Sequence, residues 1–229
     1  MSEPERWVIA IDGPAGVGKS TISRKVAAHY GLTYLDTGAM YRAVAWYLKE
    51  NDIDPDTENE LAEALEQLSI ELLPAVDETA DVGVVLNGAD ISALIRTPEI
   101  SMQASTVSAR RPVRDKLTAL QRRFGERGGV VAEGRDTGSV VFPTARFKFY
   151  LDATPEARAR RRADQLRERG DAVDEEELLE MTRVRDKQDS ERALAPLKMA
   201  EDAVLIDTTE LDIDQVFKKI IETIAEKKN

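Results

Sequence analysis

Cysteine is absent from this 229-residue chain. That excludes disulfides and thiolate metal sites and agrees with a reducing, cytoplasmic setting. Histidine is almost absent. The one present, His29, falls at the end of a helical stretch and reads as structural, not catalytic. Basic residues are in deficit, leaving a net charge of -11. A nucleic-acid partner is not expected of such a chain, because a phosphate backbone rewards Lys and Arg. No apolar run approaches the ~20 residues a membrane span needs. The polar, acidic start, Met1 to Arg6, is not expected to be a signal peptide. Internal repeats and low-complexity stretches are missing as well. A monomer acting on small molecules is the expectation.

What is present alternates. Trp7–Ile11, Leu32–Leu35, Val130–Ala132, Phe147–Leu151 and Ala203–Ile206 are short apolar runs. Helical stretches follow the first two, from about Lys19 to Tyr30 and from about Ala39 to Glu50. Another helix starts at Pro155, and a last one near Asp212, an N-cap with Gln215 three residues on. This alternation predicts an α/β fold with a parallel sheet of five strands and crossover helices. Leu68–Leu73 and Asp81–Ile91 break the rule. They read as antiparallel strands turned at Asn87-Gly88, with Pro74–Asp81 an exposed acidic connection.

Gly13, Pro14, Ala15, Gly16, Val17, Gly18, Lys19 and Ser20 match the phosphate-loop pattern of Gly, four residues, Gly, Lys, Ser. Glycines let successive backbone N–H groups wrap an anion, and the helix opening at Lys19 adds the positive end of its dipole. Lys19 would reach the β- and γ-phosphates, Ser20 would ligate Mg²⁺, and Thr21 would lie near the α-phosphate. Asp12 either assists there or forms the turn. A GTPase would carry Asn-Lys-x-Asp, yet no asparagine here precedes a lysine. The LSGGQ-like signature of transporter ATPases is also missing.

Arginines occupy acceptor-like places instead. Asp36 and Thr37 can cap the helix that carries Arg42 on its first turn, from where Arg42 can fork onto a monophosphate. Arg135 and Asp136 follow a buried strand, where open α/β sheets bind ligands. They form either a plain ion pair or a division of labour, with Arg135 on phosphate and Asp136 accepting from an exocyclic amine. Arg158, Arg160, Arg161 and Arg162 make a basic run. It is a solvated or RNA-binding stripe, or a lid over a triphosphate. Helical spacing puts Arg158 on one face with Arg161 and Arg162 but not with Arg160.

Four segments together carry a resemblance: Ile11–Thr21, Leu35–Arg42, Gly134–Pro143 and Arg192–Leu197. On them the chain resembles the bacterial-type cytidylate kinases, nucleoside monophosphate kinases of the P-loop NTPase fold, from about Trp7 to Asp207. The resemblance implies ATP and Mg²⁺, with CMP or dCMP as acceptor. It implies a core of residues 1–37 and 127–229 with a helical lid at about 155–175. An acceptor-binding region of 38–126 would contain the antiparallel insertion at about 68–92. It further implies that Thr37 lies near the acceptor and Arg42 binds its phosphate. Ser105, Arg114 and Asp136 would read cytosine, and Arg135 and Arg192 would approach phosphate. Asp189 would contact the sugar. Arg158, Arg161 and Arg162 would be lid arginines, with Arg161 expected to reach the transferring group. Two positions differ from a common pattern of that family: Ser20 is often Gly and Glu133 often Asp.

Overall fold

The computed structural model describes residues 7–75, 80–168 and 170–228. Met1–Arg6 and residues 76–79 of the expected acidic connection lie outside the described residues.

Five strands form a parallel sheet: β1 (Val8–Asp12), β2 (Thr33–Asp36), β6 (Val130–Gly134), β7 (Phe147–Asp152) and β8 (Val204–Asp207), in the order β2-β6-β1-β7-β8. β1 is central because its side chains are wanted on both faces. Ala10 packs toward α2 (Thr37–Glu50), α4 (Pro98–Val107) and α5 (Arg111–Gly125), whereas Ile9 and Ile11 pack toward α1 (Lys19–Tyr30) and α8 (Ile213–Lys228). A strand buried on both faces reads as a continuous apolar run, which is why the inner strands β6, β1 and β7 were visible in the sequence, whereas the edge strands β2 and β8 are short and partly exposed.

A second, three-stranded antiparallel sheet, β3 (Ile70–Leu73), β4 (Gly83–Leu86) and β5 (Ala89–Asp90), follows α3 (Glu58–Glu66). Asn87 and Gly88 both take positive φ, 49° and 83°, as a two-residue hairpin turn demands. α6 (Pro155–Glu168) and α7 (Glu175–Glu191) pair antiparallel through Arg183–Glu156 at 2.9 Å and the Arg158–Asp186 bridge.

Helix ends follow local chemistry. Asp212 and Gln215 exchange side-chain-to-backbone bonds of 2.8 and 3.0 Å at the start of α8. Gly31, φ 64°, closes α1. Asp36 caps α2 by accepting from the Ala39 N–H at 2.9 Å, so the helix begins at Thr37 and Arg42 stands on its second turn, not its first. His29 packs edge-on against Tyr30 and Phe217. Among the described residues no helix is long and apolar enough to cross a membrane.

Candidate active site

The carboxyl ends of β2, β6, β1 and β7 lie side by side, with Asp36 paired to Glu133 and Asp12 to Gly134 and Tyr150. The phosphate loop leaves β1 there. A Cβ on Gly13, φ 147°, would stand 2.0 Å from the Leu151 carbonyl oxygen, so only glycine lets the loop depart so close to β7. Asp12 is spent as a bracket. Its Oδ1 accepts from the Thr137 N–H at 2.8 Å and the Thr137 hydroxyl at 2.5 Å, and its Oδ2 from the Gly138 N–H at 2.7 Å. The loop strand thereby holds the segment after β6. Burial pushes the Asp12 carboxyl up, against those bonds.

Lys19 Nζ donates to the Pro14 carbonyl at 2.6 Å. Burial, then the Arg135 guanidinium, holds its ammonium well below the lysine range. An anion among these cations would reverse that. Glu133 faces it from β6. Its Oε1 accepts from the Tyr34 hydroxyl, the Ser20 hydroxyl lies within hydrogen-bonding reach, and its buried Oε2 has no partner. Burial and the nearby Asp36 raise its carboxyl. A half-buried hydroxyl beside a buried carboxylate with an unsatisfied oxygen is the oxygen-rich donor set that Mg²⁺ prefers. The residues present therefore fit that ion.

Opposite stands a lattice of arginines and carboxylates. Arg42 Nη2 donates to Asp36 Oδ2 at 2.9 Å. Arg135 Nε donates to Asp189 Oδ2 at 2.8 Å, and the Ser105 hydroxyl donates to Asp189 Oδ1 at 2.9 Å. Burial pushes Asp189 up, but the Arg135 charge and hydrogen bond outweigh it and hold the carboxyl at about 2. Arg114 is paired to Asp136 Oδ2, with both side chains under a tenth exposed, and Arg192 Nη2 stands 3.7 Å from Asp136 Oδ1. Thr37 donates to the Glu133 carbonyl at 2.6 Å.

The arginine run divides. Arg158 is buried and bridges Asp186, the Ala153 carbonyl at 2.9 Å and, in the phosphate loop, the Ala15 carbonyl at 3.2 Å. Arg161 turns to the β8–α8 connection, donating to the Thr208 hydroxyl at 3.1 Å and to its carbonyl. Arg162 reaches Gln165 at 3.5 Å, and Arg160 is exposed. Arg158 and Arg161, turned inward, do not make an RNA-facing stripe.

A sequence profile of the cytidylate kinase family matches residues 9–226. The chain belongs to the cytidylate kinase family. It is 48% identical over 219 residues to a cytidylate kinase of Thermosipho melanesiensis, covering 96% of this chain and 97% of that one. It is 50% identical over 218 residues to a bifunctional pantoate ligase/cytidylate kinase of Synechococcus elongatus, covering 94% of this chain and 41% of the relative. The chain thus spans about two-fifths of the bifunctional relatives it matches. A crystal structure of an uncharacterized protein from Eubacterium ventriosum shares the fold, with TM-score 0.51, 14% identity, and 97% and 99% coverage.

In this member of the cytidylate kinase family, sequence reasoning missed Arg185 and Asp186. Arg185 is half-buried, its enclosed Nε lacks a partner, and desolvation and then Arg135 lower its guanidinium to about 10. The signal was available, since Arg185 lies four residues before Asp189 on one helix face. Arg42 Nε and Arg192 Nη2 are likewise buried without partners. Buried donors without acceptors are rare, because each forfeits its hydration. Three guanidinium groups around one cleft with spare donors make an anion-binding surface.

Proposed function

We propose that this chain transfers the γ-phosphate of ATP to cytidine monophosphate or its deoxy form, giving ADP and the diphosphate. The observation that carries the reading is Asp136. It is a buried carboxylate held on one oxygen by Arg114, with its other oxygen toward Arg192, at the end of β6 beside the unpartnered guanidinium donors. Oxygen acceptors of this kind suit the exocyclic amine of cytosine, and uracil offers no such donor.

Residues 13–21 hold the donor phosphates, with Lys19 on the β- and γ-phosphates. Ser20 and Glu133 would hold Mg²⁺, directly or through water. Bound there, the ion neutralises charge on the donor phosphates. Arg42, Arg135, Arg185 and Arg192 take the acceptor phosphate. Asp189 serves the sugar side, Ser105, Arg114 and Asp136 the base, and Thr37 the rim between them. Arg158 lies where α6 meets the loop, and with Arg161 and Arg162 it covers the donor as residues 155–175 close. One acceptor phosphate oxygen bonds to the γ-phosphorus as the bond to the bridging β–γ oxygen breaks. That acceptor oxygen is already anionic near neutral pH, so no general base is required. Rate enhancement comes from alignment and fixed positive charge. The reading divides the chain into a core of 1–37 and 127–229 and an acceptor region of 38–126. It describes a cytoplasmic monomer acting on nucleotides alone, with no membrane or nucleic-acid partner.

A turnover panel of monophosphates with ATP and Mg²⁺ tests it. Cytidylate or deoxycytidylate is expected to be fastest, and faster turnover of uridylate, adenylate, guanylate or thymidylate overturns the base assignment.

A further inference from the structure

Ser108 stands at the carboxyl end of α4, just 5% exposed, and touches both arginines that flank Asp136. Its hydroxyl accepts from Arg192 Nη1 at 3.0 Å and donates to the Ser105 carbonyl at 2.7 Å. Its own carbonyl accepts from Arg114 Nη1 at 3.4 Å. Arg192 is held a second time, by its Nε on the Ala195 carbonyl. Ala195 has positive φ, 46°, unusual for alanine, so that short turn is itself bent to face the guanidinium.

The consequence lies in what Arg192 keeps spare. Nε and Nη1 are tied, while Nη2 is buried, has no hydrogen-bond partner and stops 3.7 Å short of Asp136. An arginine so close to a carboxylate would ordinarily complete a two-pronged bridge. Here the tether to Ser108 holds the guanidinium back. One Asp136 oxygen stays clear of a full ion pair and one Arg192 donor stays unspent.

We infer that Ser108 is a positioning residue for acceptor specificity. It restrains Arg192 so that Asp136 remains available to an amine on the acceptor base. This rests on the cytidylate reading above. Without the hydroxyl, Arg192 Nη1 would be a buried donor with no acceptor, and its nearest remedy is rotation onto Asp136. The carboxylate would then be occupied, and the base that offers an amine would lose its advantage over the one that offers a carbonyl.

Calorimetric titration of the full chain and of Ser108→Ala with cytidylate and with uridylate reads this directly. A parallel turnover assay separates KM from kcat. The variant is expected to bind cytidylate about five- to tenfold more weakly, the order of one hydrogen bond lost or redirected. Any loss of the Arg192 contact to the acceptor phosphate weighs on both nucleotides alike, so uridylate affinity should fall by less than cytidylate affinity, the KM for ATP should change less than twofold, and the ratio of the two acceptors falls. Ser108→Thr, which keeps a hydroxyl, should restore the ratio. If Ser108→Ala lowers the thermal midpoint but leaves the cytidylate-to-uridylate ratio unchanged, the serine is structural and the inference is overturned. A normal ratio in Ser108→Ala alongside cytidylate turnover by the unaltered chain overturns the inference and spares the functional reading. An unaltered chain that binds no cytidylate overturns both.

Discussion

Asp136 and Asp189 are neighbours in the same cleft, yet they answer to different partners. Asp136 sits against Arg114, and replacing it by asparagine keeps shape while exchanging an acceptor for a donor. Asp136→Asn should raise the KM for cytidylate by about tenfold or more, the order of one base-reading contact, while the KM for ATP stays within twofold. Initial-rate kinetics with each substrate varied in turn checks this, and equal loss for both would remove Asp136 from the base site. Asp189 bears on stability. Its folded carboxyl titrates at about 2 against an ordinary 3.8. The ionised form is thus favoured by folding, and its contribution of about 2 kcal/mol is whole above pH 4. It fades as pH falls through about 2. Urea midpoints of the unaltered chain and of Asp189→Asn should therefore differ at pH 7 and converge as acid is added.

Among the elements, the phosphate loop is built by proximity of two strands. Gly13 leaves β1 with its α-carbon facing the Leu151 carbonyl of β7, a backbone atom that cannot swing aside. Gly13→Ala should cost about 3 kcal/mol or more, or expel the loop from its place. Thermal melts together with binding of a fluorescent ADP analogue would show it, and a normal melt with normal ADP affinity would contradict the geometry.

The elements were also the most legible part of the sequence. The buried strands read as apolar runs, the hairpin as Asn87-Gly88, and the last helix as Asp212 with Gln215. Each signal is local, and local physics decides it. The start of α2 was placed two residues late because the Asp36 cap competes with a strand that ends on the same residue. At the site, the phosphate loop and Arg135-Asp136 were visible because a motif sits at the end of an apolar run. Arg161 docking on Thr208, 47 residues away, and the missed Arg185 were not. Which carboxylate or carbonyl an arginine chooses is settled by tertiary packing, and no short window of residues contains that choice.

Across the whole molecule, an acidic chain of net charge -11 concentrates buried arginines in one cleft and balances them with carboxylates. On the proposed function, nucleotide phosphates would meet cations already in place, and their binding should stabilise the fold as a unit. Saturating cytidylate with a non-hydrolysable ATP analogue, each near a hundred times its dissociation constant, adds about 2.7 kcal/mol per ligand. For a chain of this length the combined rise in midpoint is on the order of 10–20 °C. Differential scanning calorimetry measures it, and no rise with cytidylate would argue against an acceptor site.

The strand register has one more consequence. Asp12 lies opposite Gly134, and Asp36 opposite Glu133, so the strand ends that carry the phosphate loop and the Arg135-Asp136 segment are spaced by the pitch between neighbouring strands, about 4.8 Å. The covalent path between β2 and β6 takes no part in setting that spacing. Trp7 and Lys228 meanwhile lie in contact, the ammonium 4.0 Å from the indole centroid. A circular permutant that joins these ends by a short linker and opens the chain within the largely exposed stretch 51–57 keeps every strand pair of the parallel sheet. It should fold with its two substrates held the same distance apart.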